Sequence, residues 1–273
     1  MGTPLKLDEI GPWSEIKLEI IKKYAKAYTT ILSRKKLRFN YIDAFAGAGL
    51  HKLKKTDEFI PGSPLNALFV KPPFNHYYFI DLDEKKTESL KKIVGNNKNV
   101  TISSGDCNVV LLEEIFPTIK YEDYKRALCL LDPYGLHLNW EVLQTAGQMK
   151  SIEIFLNFPI NDMQRNVFLS NPEKITPAQK ERMNKFWGNE YWYKIIYHTD
   201  GNLFEFKEKF KETEMLIVNA FKKRLKEVAG FLNVPDPIPM RNTMNATVYY
   251  LFFASQKPVA MKIVRDIFNK YRS

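Results

Sequence analysis

The sequence predicts an α/β fold: a mostly parallel sheet of the seven-stranded type with helices on both faces. Three observations predict it. Six short runs of β-branched and aromatic residues recur along the chain. Helical periodicity fills most of the gaps between them. Four of the runs lead directly, or after a short step, into an aspartate: Asp43, Asp81, Asp106 and Asp132. Near-continuous apolar strands separated by helices belong to a parallel sheet covered on both sides.

The elements follow in order. Residues 13–33 form an N-terminal helix, with Ser14 placed to cap it and Ile20, Tyr24, Tyr28 and Ile31 at helical spacing. The basic cluster Arg34, Lys35, Lys36 and Arg38 suits a helix C-terminus. Strands are expected at 39–45, 77–80, 100–103, 127–131, 152–158 and 247–254, the last running antiparallel. Helices are expected at 64–70, 84–94, 107–115 and 140–148, with a last one from Lys257-Pro258. Residues 50–62 read as a basic loop carrying His51, Lys52, Lys54 and Lys55. Ser63-Pro64 then opens a helix as N-cap and first-turn proline.

Residues 160–238 interrupt the alternation. They read as a helical insertion between the fifth and sixth strands of a single 1–273 domain. Phe206, Phe210, Ile217, Phe221, Leu225 and Val228 share one face of a long helix there, a core stripe. Pro235, Pro237 and Pro239 close the segment.

Composition sets the outer bounds. Among 273 residues, 45% are hydrophobic and 26% charged, which is globular composition. Two cysteines, Cys107 and Cys129, exclude a disulfide framework and a four-cysteine metal site. The four histidines are scattered and suggest no metal. Residues 1–8 lack the apolar segment of a secretory signal, and no apolar run spans a bilayer, so a cytoplasmic location without membrane attachment is expected. The formal charge of +10 favours an anionic partner, nucleic acid first, whether DNA or RNA. Lys207, Lys209, Lys211, Lys222, Lys223, Arg224 and Lys226 alternate with acids on the long inserted helix, a pattern that usually describes a solvated, ion-paired face. Trp187, Tyr191, Trp192 and Tyr193 follow Lys180, Arg182 and Lys185, a mixture that suits either single-strand binding or helix packing.

The aspartates carry the chemistry. In an open α/β sheet, ligands bind outside the carboxyl ends of the strands, so the four acids converge on one crevice. Asp43 opens the turn DAFAGAG, which contains Phe45, Gly47 and Gly49. A dinucleotide fingerprint needs a third glycine where Lys52 stands, and no phosphate-binding GxxxxGK[ST] occurs. A carboxylate before the glycines repels a pyrophosphate but suits an ammonium group. S-adenosylmethionine has that group and no phosphate. Asp81 is placed for the ribose hydroxyls. Asp106 is placed for the adenine amino group, with Cys107 and Asn108 as backbone donors to the ring.

Asp132-Pro133-Tyr134-Gly135 ends the fourth strand. Methylating an exocyclic amine needs acceptors for the amine protons, because the nitrogen lone pair is delocalised into the ring. Asp132 and the Pro133 carbonyl are candidate acceptors, a carboxylate there offsets charge building on nitrogen, and Tyr134 can stack on an extruded base. Lys52, Asn157 and Arg165 are further candidates for substrate contact. Neither cysteine sits where a methylating nucleophile belongs.

The motifs DAFAGAG, YYFIDLD, SGDCN and LLDPYG, in that order, resemble the class I S-adenosylmethionine-dependent methyltransferases over about residues 39–160. More narrowly, YIDAFAGAGLHK, PGSPLNAL, FIDLDEKK, LLDPYGLHLNWEVL, FLNFPINDMQRN and RMNKFWG resemble the three-Cys-motif partner family over roughly 13–190. The resemblance implies a Rossmann-like methyltransferase fold and association with a separate cysteine-motif protein. Amino-methyltransferases carry [DN]PP[YF] at the fourth strand end; this chain lacks the second proline. Methylation of a protein or a small molecule therefore stays open beside methylation of a nucleic-acid base. So does a non-catalytic module of the same fold.

Overall fold

The computed structural model describes residues 9–53, 58–197 and 206–272. Its centre is a seven-stranded sheet made of β2 (Arg38–Asp43), β5 (His76–Asp81), β6 (Val100–Ser104), β7 (Lys125–Leu131), β8 (Ile152–Phe158), β9 (Ile238–Arg241) and β10 (Thr247–Ala254). The spatial order is β6-β5-β2-β7-β8-β10-β9. Neighbouring strands from β6 to β8 pair in parallel, and β10 runs antiparallel to both β8 and β9. Counted along the chain within this sheet, the order is 3-2-1-4-5-7-6 with the seventh strand reversed, the arrangement of the Rossmann-like class I methyltransferase fold.

Each inner strand is apolar on both faces, and its side chains alternate between two cores as period-2 geometry requires. In β7, Ala127, Cys129 and Leu131 face one core, and Leu128 and Leu130 the other. In β10, Tyr250, Phe252 and Ala254 face the first, and Tyr249, Leu251 and Phe253 the second. The second core is covered by α1 (Pro12–Leu32), α2 (Ser63–Leu68) and α10 (Pro258–Asn269). Helix α3 (Glu84–Val94) packs beside β5 and β6 and adds Leu90 to that core.

The first core is covered by the helical segment after β6, where α4 (Cys107–Val109) runs into a π-helical turn at Val110–Ile115, and by α5 (Trp140–Met149). The chain between β8 and β9 adds α6 (Ile160–Asn166), α7 (Pro177–Trp187), α8 (Tyr191–Tyr197) and α9 (Phe206–Glu227). Phe221 is the hub of this layer. It lies within 6 Å, centroid to centroid, of Trp140, Phe158, Phe186, Trp187 and Phe252.

Several local expectations change. Residues 50–62 are not a loop throughout: β3 (Leu50–Leu53) and β4 (Phe59–Pro61) form a hairpin, and β1 (Glu9–Ile10) adds to β3. The half-buried side chains of β3, with His51 and Lys52 among them, hid that strand, and β4 is only three residues long and ends in Pro61. Lys54 and Lys55 lie outside the described residues. Gly11, not Ser14, is the N-cap of α1, so the helix starts one proline earlier. Gly62, not Ser63, caps α2. The strand β9, which the sequence reading did not include, contains Pro239 on the sheet edge, where a missing N–H is tolerated. In the long-helix stripe, Ile217, Phe221 and Leu225 are fully buried, but Val228 is exposed. It stands past the last turn of α9, where the face no longer meets the sheet layer. The side chains of Phe206 and Phe210 lie outside the described residues, as do those of Lys207, Lys209 and Lys211.

Candidate active site

The chain reverses its winding direction between β2 and β7, which pair directly although two other sheet strands separate them in sequence. A crevice opens outside the carboxyl ends of such a pair. Asp43 is the last residue of β2, and Asp132 directly follows β7. The two are electrostatically coupled.

Asp43 is fully buried. Its Oδ1 accepts the Phe45 backbone N–H at 3.3 Å. Its Oδ2 has no hydrogen-bond partner among the described residues. Burial pushes its carboxyl up to about 7; the nearby Ser63 hydroxyl opposes that push, the negative charge of Asp132 adds to it, and Lys17 draws it down. A buried carboxylate oxygen left without a donor is costly, so this one invites a positively charged ligand group.

The turn after Asp43 takes left-handed backbone at Gly47 (φ 64°) and Gly49 (φ 86°), which glycine adopts at little cost. Both glycines are buried, while Phe45 is half buried against the first core. The Gly47 N–H donates to Asp81 Oδ2 at 2.8 Å, tying the turn to the end of β5. Asp81 Oδ1 accepts the Asp83 N–H at 2.9 Å. Asp106 is exposed and caps α4 through Oδ1, which accepts from the Asn108 backbone N–H and side-chain amide. The Asn108 N–H, expected to face a ligand ring, is therefore already used. Cys107 is buried, and burial first, then the Asp106 charge, pushes its thiol up to about 12. It stays protonated and is no nucleophile.

On the acceptor side, Asp132 is held from two directions. Lys17, on the first turns of α1, donates to Oδ2. Asn157 Nδ2 donates to Oδ1 at 2.8 Å and reaches the Pro133 carbonyl at 3.5 Å. Asn157 is buried near the end of β8, and its own Oδ1 has no partner among the described residues. Tyr134 is exposed, with Lys86 Nζ 5.7 Å from its ring centroid. Gly135 lets the loop lie against α6: a Cβ there would meet Asp162 Oδ2 at 3.1 Å.

The structure thus brings Asp43, Gly47, Gly49, Asp81, Asp132, Pro133 and Asn157 into one connected edge. Lys52 stands on β3, in the small sheet that grows out of the glycine turn. Arg165 is exposed on the last turn of α6. Sequence reasoning missed Lys17. Its signal was faint but present: it occupies the apolar helix register that continues through Ile20, Tyr24 and Tyr28, where a lysine needs a buried partner. Trp187 and Trp192 are fully buried in the first core and serve packing; Tyr191 is exposed. Lys222 and Lys223 pair with Asp236 and Glu227, while Arg224 lies over the rings of Trp140 and Trp187.

No family model and no curated protein matches the chain. Solved structures do resemble it. A Legionella pneumophila protein of family-model DUF519 superposes with a TM-score of 0.51 at 14% identity, covering 93% of this chain and 92% of that one. A putative S-adenosylmethionine-dependent methyltransferase from Listeria monocytogenes gives 0.42 at 10% identity, covering 90% and 97%. The N-methyltransferase NodS from Bradyrhizobium japonicum gives 0.41 at 9%, covering 90% and 98%. At 14% identity the first likeness speaks for the fold alone, and the other two are weaker.

Proposed function

We propose that this chain is an S-adenosylmethionine-dependent methyltransferase that methylates an amino nitrogen of a nucleic-acid base. The observation that carries the reading is the unpartnered, buried carboxylate oxygen of Asp43, set before a left-handed glycine turn and beside the Asp132 edge. Asp43 Oδ2 suits the ammonium group of the cofactor. Gly47 and Gly49 allow close backbone approach. Asp81, already anchored by two backbone N–H groups, retains lone pairs for a ribose diol. Asp106 stands next along the same edge for the adenine amine.

When bound, the cofactor supplies an electrophilic methyl group on a sulfonium. The chain's own residues address the acceptor. Asp132 and the Pro133 carbonyl accept the amine protons and draw electron density toward nitrogen. The Asp132 carboxylate offsets the positive charge that builds there. Lys17 and Asn157 hold that carboxylate in one orientation, so that little reorganisation is needed during transfer. Tyr134, exposed at the crevice, offers a stacking face for a base. Lys52 and Arg165 are the proposed backbone contacts, and the +10 charge supports a polyanionic substrate.

One feature favours a second reading. Tyr134 stands where amino-methyltransferases have a second proline, so a protein or small-molecule acceptor is the alternative. The resemblance to the three-Cys-motif partner family adds a cysteine-motif protein as the proposed partner.

Calorimetric titration with S-adenosylmethionine tests the cofactor site, alongside Asp81→Ala. Micromolar binding, about −8 kcal/mol, that is lost in the variant supports the reading. No binding at millimolar cofactor refutes it. Labelled methyl groups offered with DNA, RNA and protein fractions then identify the acceptor.

A further inference from the structure

A second cavity lies at the other edge of the sheet. It encloses about 270 Å³ between α1, the start of β7, the start of β8 and α10. Arg126, on its wall, stands at the second position of β7, whose far end leads to Asp132. At roughly 3.3 Å per strand residue, that is roughly 20 Å from the methyl-transfer edge. At roughly 30 Å³ per water, the cavity holds roughly nine waters, near the small end of ligand sites.

Its floor is polar. Glu153 is half-buried in β8, and its two oxygens accept from Tyr24 Oη and Ser255 Oγ. Tyr28 is buried, and its hydroxyl has no hydrogen-bond partner among the described residues. The walls between floor and rim are mainly aliphatic, with Ile31, Leu37 and Ile263 among them. The rim is cationic: Lys35, Arg126, Lys150 and Lys257 all line it. None of the four has an ion-pair partner among the described residues. Tyr121 sits between two of them, with the Arg126 guanidinium 3.6 Å and Lys257 Nζ 5.8 Å from its ring centroid.

We infer that this cavity is a second ligand site, for a small organic anion with an apolar or aromatic body. The four rim cations supply the counter-charge. The aliphatic walls take the body, and the Tyr28 hydroxyl offers a hydrogen bond at the floor. The one acid there, Glu153, interacts with Lys257 and opposes the rim charge at the floor, but the four cations outnumber it. A cationic ligand would meet that field unfavourably. The site is independent of the methyltransferase reading, because it shares no residue with the Asp43–Asp132 edge.

The test uses the full chain and anilinonaphthalene sulfonate, an aromatic anion, in a fluorescence titration. Wild type is expected to bind it saturably with one site per chain. The double variant Lys35→Ala/Lys257→Ala should bind about tenfold more weakly. Val259→Trp, at the exposed rim, should block entry, and Tyr28→Phe should weaken binding while keeping the ring. The surface pair Lys92→Ala/Lys194→Ala, with the same change in charge, should bind as wild type. Absence of saturable binding overturns the inference. So does equal affinity in wild type and the rim, plug and hydroxyl variants, or equal loss in the surface pair.

Discussion

Replacing Lys17 with methionine isolates the contact that sequence reasoning missed. The side chain keeps its length and apolar stem, and only the charge goes. Lys17 and Asp132 side chains are 9% and 22% exposed. Breaking a fully buried pair costs about 3–5 kcal/mol, and an exposed pair about 0–1 kcal/mol. A pair with one partner a fifth exposed falls between, at about 2 kcal/mol. For a chain of this size that lowers the melting temperature by about 4–8 °C. A purely structural contact would predict the same loss, so a second readout is needed. Lys17 also draws the Asp43 carboxyl down. In Lys17→Met, the pH midpoint for binding S-adenosylhomocysteine should therefore move upward. Calorimetry across pH measures this, with Lys26→Met on the exposed face of α1 as control. Adding Asp132→Asn removes the stranded charge, so the double variant should be more stable than the sum of the single losses predicts. Unchanged melting and an unchanged binding midpoint would refute the argument.

Three further outcomes follow from the structure. Asp43 titrates near 7 and meets an ammonium group only when ionised, so affinity for S-adenosylhomocysteine should rise about eightfold from pH 6 to 7.5, and Asp43→Asn should flatten the profile. The ligand-free protein should change in the opposite sense: native Asp43 holds a proton that the unfolded chain has released, so its contribution to stability falls as pH rises from the ordinary carboxylate range to about 7; a pH-independent affinity would contradict this placement. Phe221→Ala removes the hub of the helical layer, fully buried among five aromatic rings, and should cost about 3–5 kcal/mol in denaturant unfolding; a loss under 1 kcal/mol would mean that layer packs loosely.

The strands of the main sheet were legible because burial on both faces leaves an uninterrupted apolar run. Residues 152–158 and 247–254 match β8 and β10 end to end. The hairpin β3–β4 was not legible, since half-buried β3 carries lysine and histidine and β4 is too short to show a period. The edge strand β9 hid behind its prolines, which an edge position tolerates. Of the site, the strand-end acids and glycine turn were legible, because the chemistry of a strand-to-helix turn is local. Lys17 was not, because its partner lies 115 residues away.

By itself the sequence determined the order of elements, the mostly parallel sheet and which acids stand at strand ends. Those properties depend on local propensity and on a hydrophobic period that a few neighbouring residues set. Only the tertiary structure decided which of those acids are satisfied. Asp132 is doubly anchored, Asp106 caps a helix through one oxygen only, and Asp43 is buried with one oxygen open. The physical reason is that hydrogen-bond partnership and desolvation are set by groups far apart in the chain. They exist only once α1, β2, β7 and β8 have packed around the same edge.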